Sequence, residues 1–145
     1  MTVKFIPSEE VLPLRSLVLR DGKSYEFCRF DEDDRPETIH LGVIDDNDDK
    51  PKGILTAFPL VRDGFNGLGY QLRGMATHPA FQGMGLGAKL VDFLIGYLRG
   101  QDVAYIWCNA REVAFPFYEK LGFTFISKEF DVADIGVHRT MCLLL

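Results

Sequence analysis

The sequence predicts one α/β (α+β) domain built on a mixed, mostly antiparallel sheet. Three observations carry that reading. Two apolar stretches flank an acidic turn before residue 62, a strand, glycine-rich loop, helix and strand follow one another between residues 70 and 108, and a second alternating pair closes the chain. At 145 residues the chain fits a single domain, 1–145, large enough to bury a core without disulfides.

Thr2 to Ile6 alternates polar and apolar residues and suits a short strand. Pro7 ends it, and Ser8 with Glu9 and Glu10 resembles a helix cap followed by acids in the first turn. Val11, Leu14, Leu17 and Val18 then fall on one helical face, with Pro13 inside the pattern predicting a kink or a delayed start. Tyr25 to Phe30 is open between a short helix and extended chain. Thr38 to Ile44 and Gly53 to Val61 read as antiparallel partners across the turn Asp45–Lys50. Asp45, Asn47 and Asp49 imitate calcium-loop ligands. Lys50 stands where that loop needs glycine and Thr56 where it needs glutamate, so no metal is expected.

Tyr70 to Thr77 is the next strand. After the glycines, Leu90, Val91, Leu94, Ile95 and Leu98 recur at helical spacing, and Phe93 and Tyr97 widen that stripe into a well-buried helix ending at Gly100. Ala104 to Cys108 is a continuous apolar run suited to a buried parallel strand, which completes a βαβ unit. Asn109 and Glu112 form a capping-box pattern before a helix through Leu121 that Pro116 must disturb early. Thr124 to Phe130 and Val137 to Leu145 close the sheet as an antiparallel pair.

Composition excludes several classes. No apolar run reaches the length of a membrane span, and the first ten residues are too polar for a signal peptide. Cys28, Cys108 and Cys142 are odd in number and widely spaced, which predicts buried free thiols and a cytoplasmic protein. The first 70 residues carry 14 acidic against 9 basic side chains and the rest balance, so nucleic acid is not an expected partner. An acidic half leans towards a cationic acceptor.

The sequence turns on Gln82-Gly83-Met84-Gly85-Leu86-Gly87. Glycines at alternate positions before a helix bring free N–H groups close to an anion at the positive end of the helix dipole. A P-loop fails because Ala88-Lys89-Leu90 stands where Gly-Lys-Ser/Thr is required. A dinucleotide fingerprint matches Gly83, Gly85 and Ala88 as a string. Its context fails, because His78 to Gln82 separate the glycines from the strand and Cys108 or Asn109 occupies the place of the ribose-binding acid.

The same string resembles the Q/R-x-x-G-x-G/A motif of the GNAT N-acetyltransferase superfamily. The likeness extends to Met75-Ala76-Thr77-His78-Pro79 before the loop, to Trp107-Cys108-Asn109-Ala110-Arg111, and to Phe117-Tyr118-Glu119-Lys120-Leu121-Gly122-Phe123 near the end. It implies a sheet splayed at the cofactor site, helices on both faces, and direct transfer of an acetyl group from acetyl-CoA to the amine of a small molecule or peptide. It implies pyrophosphate binding by Gln82, Gly83, Met84, Gly85, Leu86 and Gly87, and pantetheine binding by the main chain of Met75, Ala76 and Thr77. Asn109 is a further cofactor contact or a helix cap, and Arg111 is a weaker cofactor candidate by its place next to it. Tyr118 is the implied acid for the departing thiolate. Members often carry a cation at the second or third loop position, where this chain has Gly83 and Met84, so charge for the phosphates must come from Lys89, Lys120 or elsewhere. A glutamate base on the motif strand is also missing from Tyr70 to Arg73, leaving His138, then Glu26 and His40, as candidates. A module that binds CoA without turnover is the alternative reading, and a homodimer is an open possibility.

Overall fold

The strands, the central ones buried at consecutive positions because both faces are covered, form one eight-stranded sheet, seen in a computed structural model that describes all 145 residues. Its strands are β1 (Thr2–Phe5), β2 (Ile39–Ile44), β3 (Gly53–Pro59), β4 (Gly69–Thr77), β5 (Tyr105–Arg111), β6 (Thr124–Phe125), β7 (Phe130–Val132) and β8 (Gly136–Leu144). The spatial order is β1-β2-β3-β4-β5-β8-β6, and β7 also pairs with β8. Every pairing is antiparallel except β4 with β5. That single parallel step is the one the helical crossover makes necessary.

The crossover helix, α2 (Leu86–Arg99), buries Leu90, Val91, Leu94 and Leu98 against the sheet. Phe93 and Tyr97 do not join that face. They are 37% and 38% exposed and meet Phe5 edge-to-face, with centroids 5.6 and 5.1 Å away. They sit at the margin of the apolar stripe and cover the outer strand β1 instead of entering the core.

On the opposite face, residues 8–19 wind through three geometries: a 3-10 turn (Ser8–Val11), α1 (Leu12–Leu14) and a π turn (Arg15–Leu19). Pro13 lies in the first turn of α1, where its missing N–H costs nothing. Ser8 caps no helix; its hydroxyl donates to Asp34 Oδ1 at 3.1 Å. The wider π turn shifts the periodicity, so Leu17 is 53% exposed while Arg15 and Ser16 are buried. Val11, Leu12, Leu14, Cys28, Ile54 and Ala76 form the core beneath this segment, and a larger core lies under α2. The helices thus cover both faces. All three cysteines are buried and unpaired.

Two later expectations are shortened. Asn109 lies inside β5 and caps nothing, and the last helix, α3, spans only Phe115–Lys120 after a 3-10 turn. Pro116 falls in its first turn. Between β6 and β7 the chain leaves the ladder, because the Ser127 hydroxyl accepts the Thr140 N–H at 2.8 Å and its carbonyl accepts Arg139 Nε at 3.1 Å.

A buried polar network ties the 8–19 segment to the sheet. Arg15 is 1% exposed and grips Asp33 with two hydrogen bonds of 2.7 and 2.9 Å. It also donates to the Cys28 carbonyl and to Thr56 Oγ1, and His40 bridges Thr56 Oγ1 and the Asp33 carbonyl. Burial raises the Asp33 pKa, but the Arg15 bonds, the Phe30 N–H and the neighbouring positive charge outweigh it and hold the carboxyl below its usual range. A depressed folded pKa stabilises the fold above the usual carboxylate range and loses that contribution as pH falls through the folded value. Arg15→Met leaves Asp33 buried without its partner, so urea unfolding at neutral pH should show a loss of about 3–5 kcal/mol; a loss under about 1 kcal/mol would mean that the pair is not structurally important.

Candidate functional site

Strands β4 and β5 begin as parallel neighbours and then part. Only Gly69–Tyr105, Tyr70–Ile106 and Gln71–Trp107 are in register. Beyond them β4 follows β3, while β5 remains paired with β8 as far as Arg111–His138. The opening is reinforced by a bulge in β4. Ile54 pairs with Ala76 and Thr56 with Arg73, so Gly74 and Met75 together oppose Leu55. Gly74 has φ +64°, and a Cβ there would lie 3.0 Å from the Phe30 ring and 3.1 Å from Arg15 Nε. Only glycine fits.

The bulge also resets the alternation of side chains. Before it, Tyr70 and Leu72 face the α2 core while Arg73 faces the 8–19 segment; after it, Met75 packs on the α2 core and Ala76 on the other. The parted strands bound a cavity of about 450 Å³ that passes from one face of the sheet to the other. Met75, Cys108 and Tyr118 line it from the α2 side, and Phe30, Arg73 and His138 from the other.

Of the residues singled out in the sequence, Met75, Asn109 and Tyr118 meet in this cavity. Ala76 and Thr77 continue β4, paired with Ile54 and Gly53. Gln82, Gly83, Met84, Gly85, Leu86 and Gly87 lie outside the cavity, at the start of α2. Gly83 and Gly85 adopt φ of +80° and +78°, and Met84 is 60% exposed. The Leu86 side chain is buried in the core, so only its main chain is free to meet a ligand. No backbone carbonyl takes the N–H groups of residues 83–88; the helix ladder begins with Lys89 N–H to the Gly85 carbonyl at 3.1 Å. A bare row of donors at a helix N-terminus fits an anion. The supplementary cation is not Lys89 as this structure stands, since its Nζ donates to the Met1 carbonyl at 2.8 Å.

Asn109 Oδ1 accepts the Thr140 hydroxyl at 2.8 Å and thus faces β8 across the ladder. Tyr118 is buried with its hydroxyl against the Cys108 thiol. Burial first, then the neighbouring Cys108, pushes the Tyr118 phenol well above its ordinary pKa, and burial lifts the Cys108 thiol to about 12. Both groups are neutral at physiological pH.

The base candidates separate clearly. Both ring nitrogens of His40 are engaged in the Arg15 network. Glu26 is exposed and paired with Arg29 at 2.9 Å. His138 lines the cavity, stacked on Phe130, with Nδ1 2.9 Å from the Gly136 carbonyl. A carbonyl only accepts, so Nδ1 carries the proton and Nε2 keeps the lone pair.

The sequence reading singled out Arg111 but missed Arg20 and Arg73. Arg20, Arg73 and Arg111 all line the cavity, and no aspartate or glutamate does. The lean towards a cationic acceptor is therefore not supported, because the acidic residues of the first half face other surroundings. The signal for Arg73 was its place on the parting strand β4, readable only once the phase of that strand was known, whereas Arg111 was legible from its place at the end of β5.

Known proteins share this architecture. The sequence model of the "Acetyltransferase (GNAT) family" matches residues 9–123. The uncharacterized N-acetyltransferase YitI of Bacillus subtilis is 32% identical over 149 aligned residues, covering 97% of this chain and 94% of that one. Among solved structures, an aminoglycoside 6'-N-acetyltransferase complexed with coenzyme A superposes with a TM-score of 0.78 at 17% identity, over 99% of this chain and 97% of the other. The ribosomal-protein-S18-alanine N-acetyltransferase of Escherichia coli gives 0.73 at 20% identity, over 99% and 92%. Gly85→Val should leave the protein folded, since nothing lies within 4 Å of its Cβ position, while straining a φ of +78° that branched residues avoid. Calorimetric titration with CoA should show at least about a tenfold weaker affinity, the loss expected when a donor to a charged group is misplaced; unchanged affinity would remove the loop from the binding site.

Proposed function

The chain belongs to the acetyltransferase (GNAT) family, and we infer from its cavity how it works as an acetyl-CoA-dependent N-acetyltransferase. The observation that carries the reading is the parting of β4 from β5, with a bare anion cradle at one end and Tyr118 at the other. Acetyl-CoA enters as substrate from the α2 side. The N–H groups of residues 83–88 receive its pyrophosphate, and the β4 edge from Met75 to Thr77 receives its pantetheine arm as an added strand. Asn109 borders the same path from β5.

The acceptor amine enters from the 8–19 side and attacks the thioester carbon. A C–N bond forms, negative charge collects on the carbonyl oxygen, and a main-chain N–H at the β4 bulge stabilises it. Collapse breaks the C–S bond. Tyr118 donates a hydrogen bond to the departing sulfur. Its raised pKa stands above that of an ordinary thiol, about 8.5, so the phenol steadies the thiolate without surrendering its proton outright. The amine loses its extra proton to His138 Nε2, which lies in the cavity with Nδ1 occupied. The buried thiols fit a reducing cytoplasm, and no helix is long and apolar enough to cross a membrane.

Tyr118→Phe keeps the ring and removes the donor. Steady-state kinetics should show kcat reduced about 100-fold with the KM for acetyl-CoA little changed; unchanged kcat would remove Tyr118 from the reaction. Because the folded phenol titrates above its ordinary value, wild-type kcat should show no loss from tyrosine ionisation below about pH 10.

A further inference from the structure

We propose that the acceptor is a small amine carrying a carboxylate, of the amino-acid type, and that Arg73 with Arg111 receives that carboxylate. The proposal rests on the acetyltransferase reading and names the acceptor for the same cavity.

The two strands that part place one arginine each on the acceptor face. Arg73 precedes the bulge on β4, and its partner across the ladder, Thr56, belongs to the Arg15 network on that face. On β5, Asn109 faces the same way as Arg111, two residues apart, and Arg111 lies in register with His138. Arg20, from the end of the π turn, adds a third guanidinium to the wall.

These cations are under-compensated. Arg111 makes no ion pair, and Arg20 only donates to the neighbouring Leu19 carbonyl at 3.0 Å. Arg73 has one carboxylate contact, Glu32 at 3.5 Å, beyond a good charge-assisted hydrogen bond. Its guanidinium carbon lies over Phe30, 3.9 Å from the centroid, and Arg15 lies over the same ring at 3.7 Å. A guanidinium resting on a ring that is itself backed by a buried ion pair is pre-organised, so less rotamer freedom is lost when it binds an anion. Burial above all, then Arg15 and Arg20 nearby, lowers the Arg73 pKa from its ordinary value, and the opposing pull of Glu32 and Asp33 does not cancel it.

The ligand chemistry follows from the geometry. The phosphates of CoA belong at residues 83–88, on the α2 side, and its pantetheine arm is neutral. An anion on the acceptor face must therefore arrive with the acceptor. The apolar remainder of that wall, Phe30, Phe130, Val132 and Ile135, accommodates an apolar side chain. A polycationic amine meets three guanidiniums and no lining carboxylate, which disfavours it.

The test compares acceptors differing only in the carboxylate, by following CoA thiol release: phenylalanine with phenethylamine, leucine with isoamylamine, and lysine with cadaverine, alongside spermidine and kanamycin. The carboxylated members should show kcat/KM higher by at least about tenfold, the worth of one charge-assisted hydrogen bond. Arg73→Gln should erase most of that preference by raising the acceptor KM, leaving the KM for acetyl-CoA unchanged. Equal or better turnover of the decarboxylated members, or of spermidine or kanamycin, overturns the proposal. So does a protein that acetyl-CoA stabilises in a thermal shift but that turns over none of the carboxylated amines; in that case the CoA-binding reading survives. Absence of any stabilisation by acetyl-CoA overturns both.

Discussion

The structure depends on one buried ion pair. Arg15 and Asp33 come from a helical segment and a loop, and the pair adds a directional tie to the apolar contacts of Val11, Leu12, Leu14 and Cys28 that hold them against the sheet. Their cost of desolvation is offset by two-pronged geometry and by bonds to Thr56, Cys28 and His40. Arg15 also supplies the floor for Phe30, and Phe30 with Arg15 leaves room at Gly74 for a hydrogen only. The position of the β4 bulge is thus set from behind, by a polar contact that never touches the cavity. The geometry of the cavity wall at the bulge is held by a strand packed on both sides, not by a loop.

Much of this fold is legible in the sequence. The β2–β3 hairpin, the βαβ unit and the closing strand follow from alternation, glycine punctuation and apolar runs, because in those stretches local preference and tertiary burial agree. Residues 8–19 are not legible. Their buried face includes an arginine, and a π turn inside the run moves Leu17 outward. Hydrophobic periodicity has no means of announcing a charged core residue whose partner lies 18 positions away. Asn109 misleads for a similar reason: Asn-x-x-Glu is a sound local signal, yet β8 claims the residue for a strand and its side chain for Thr140.

The site was legible in the same uneven way. The glycine loop and Tyr118 stand out because their patterns are short and local. The arginine wall does not, because it is assembled from the ends of three elements and depends on strand phase. A bulge of one residue decides whether a β4 side chain faces the α2 core or the 8–19 segment, and no composition statistic sees that. Net charge did not report on the cavity: the acidic excess of the first half is real, but the cavity lining holds three arginines and no carboxylate.

The parted strands have a consequence for the life of the protein outside the reaction. Between Leu72 and Thr77 on one side and Cys108 and Arg111 on the other, two lengths of strand edge face each other without pairing. Unpaired edges invite other chains, and most proteins hide theirs with charges or covering loops. Here the unpaired edges face each other within one sheet, with Arg73 on one side and Arg111 on the other, so charged side chains stand where a stray strand would have to enter.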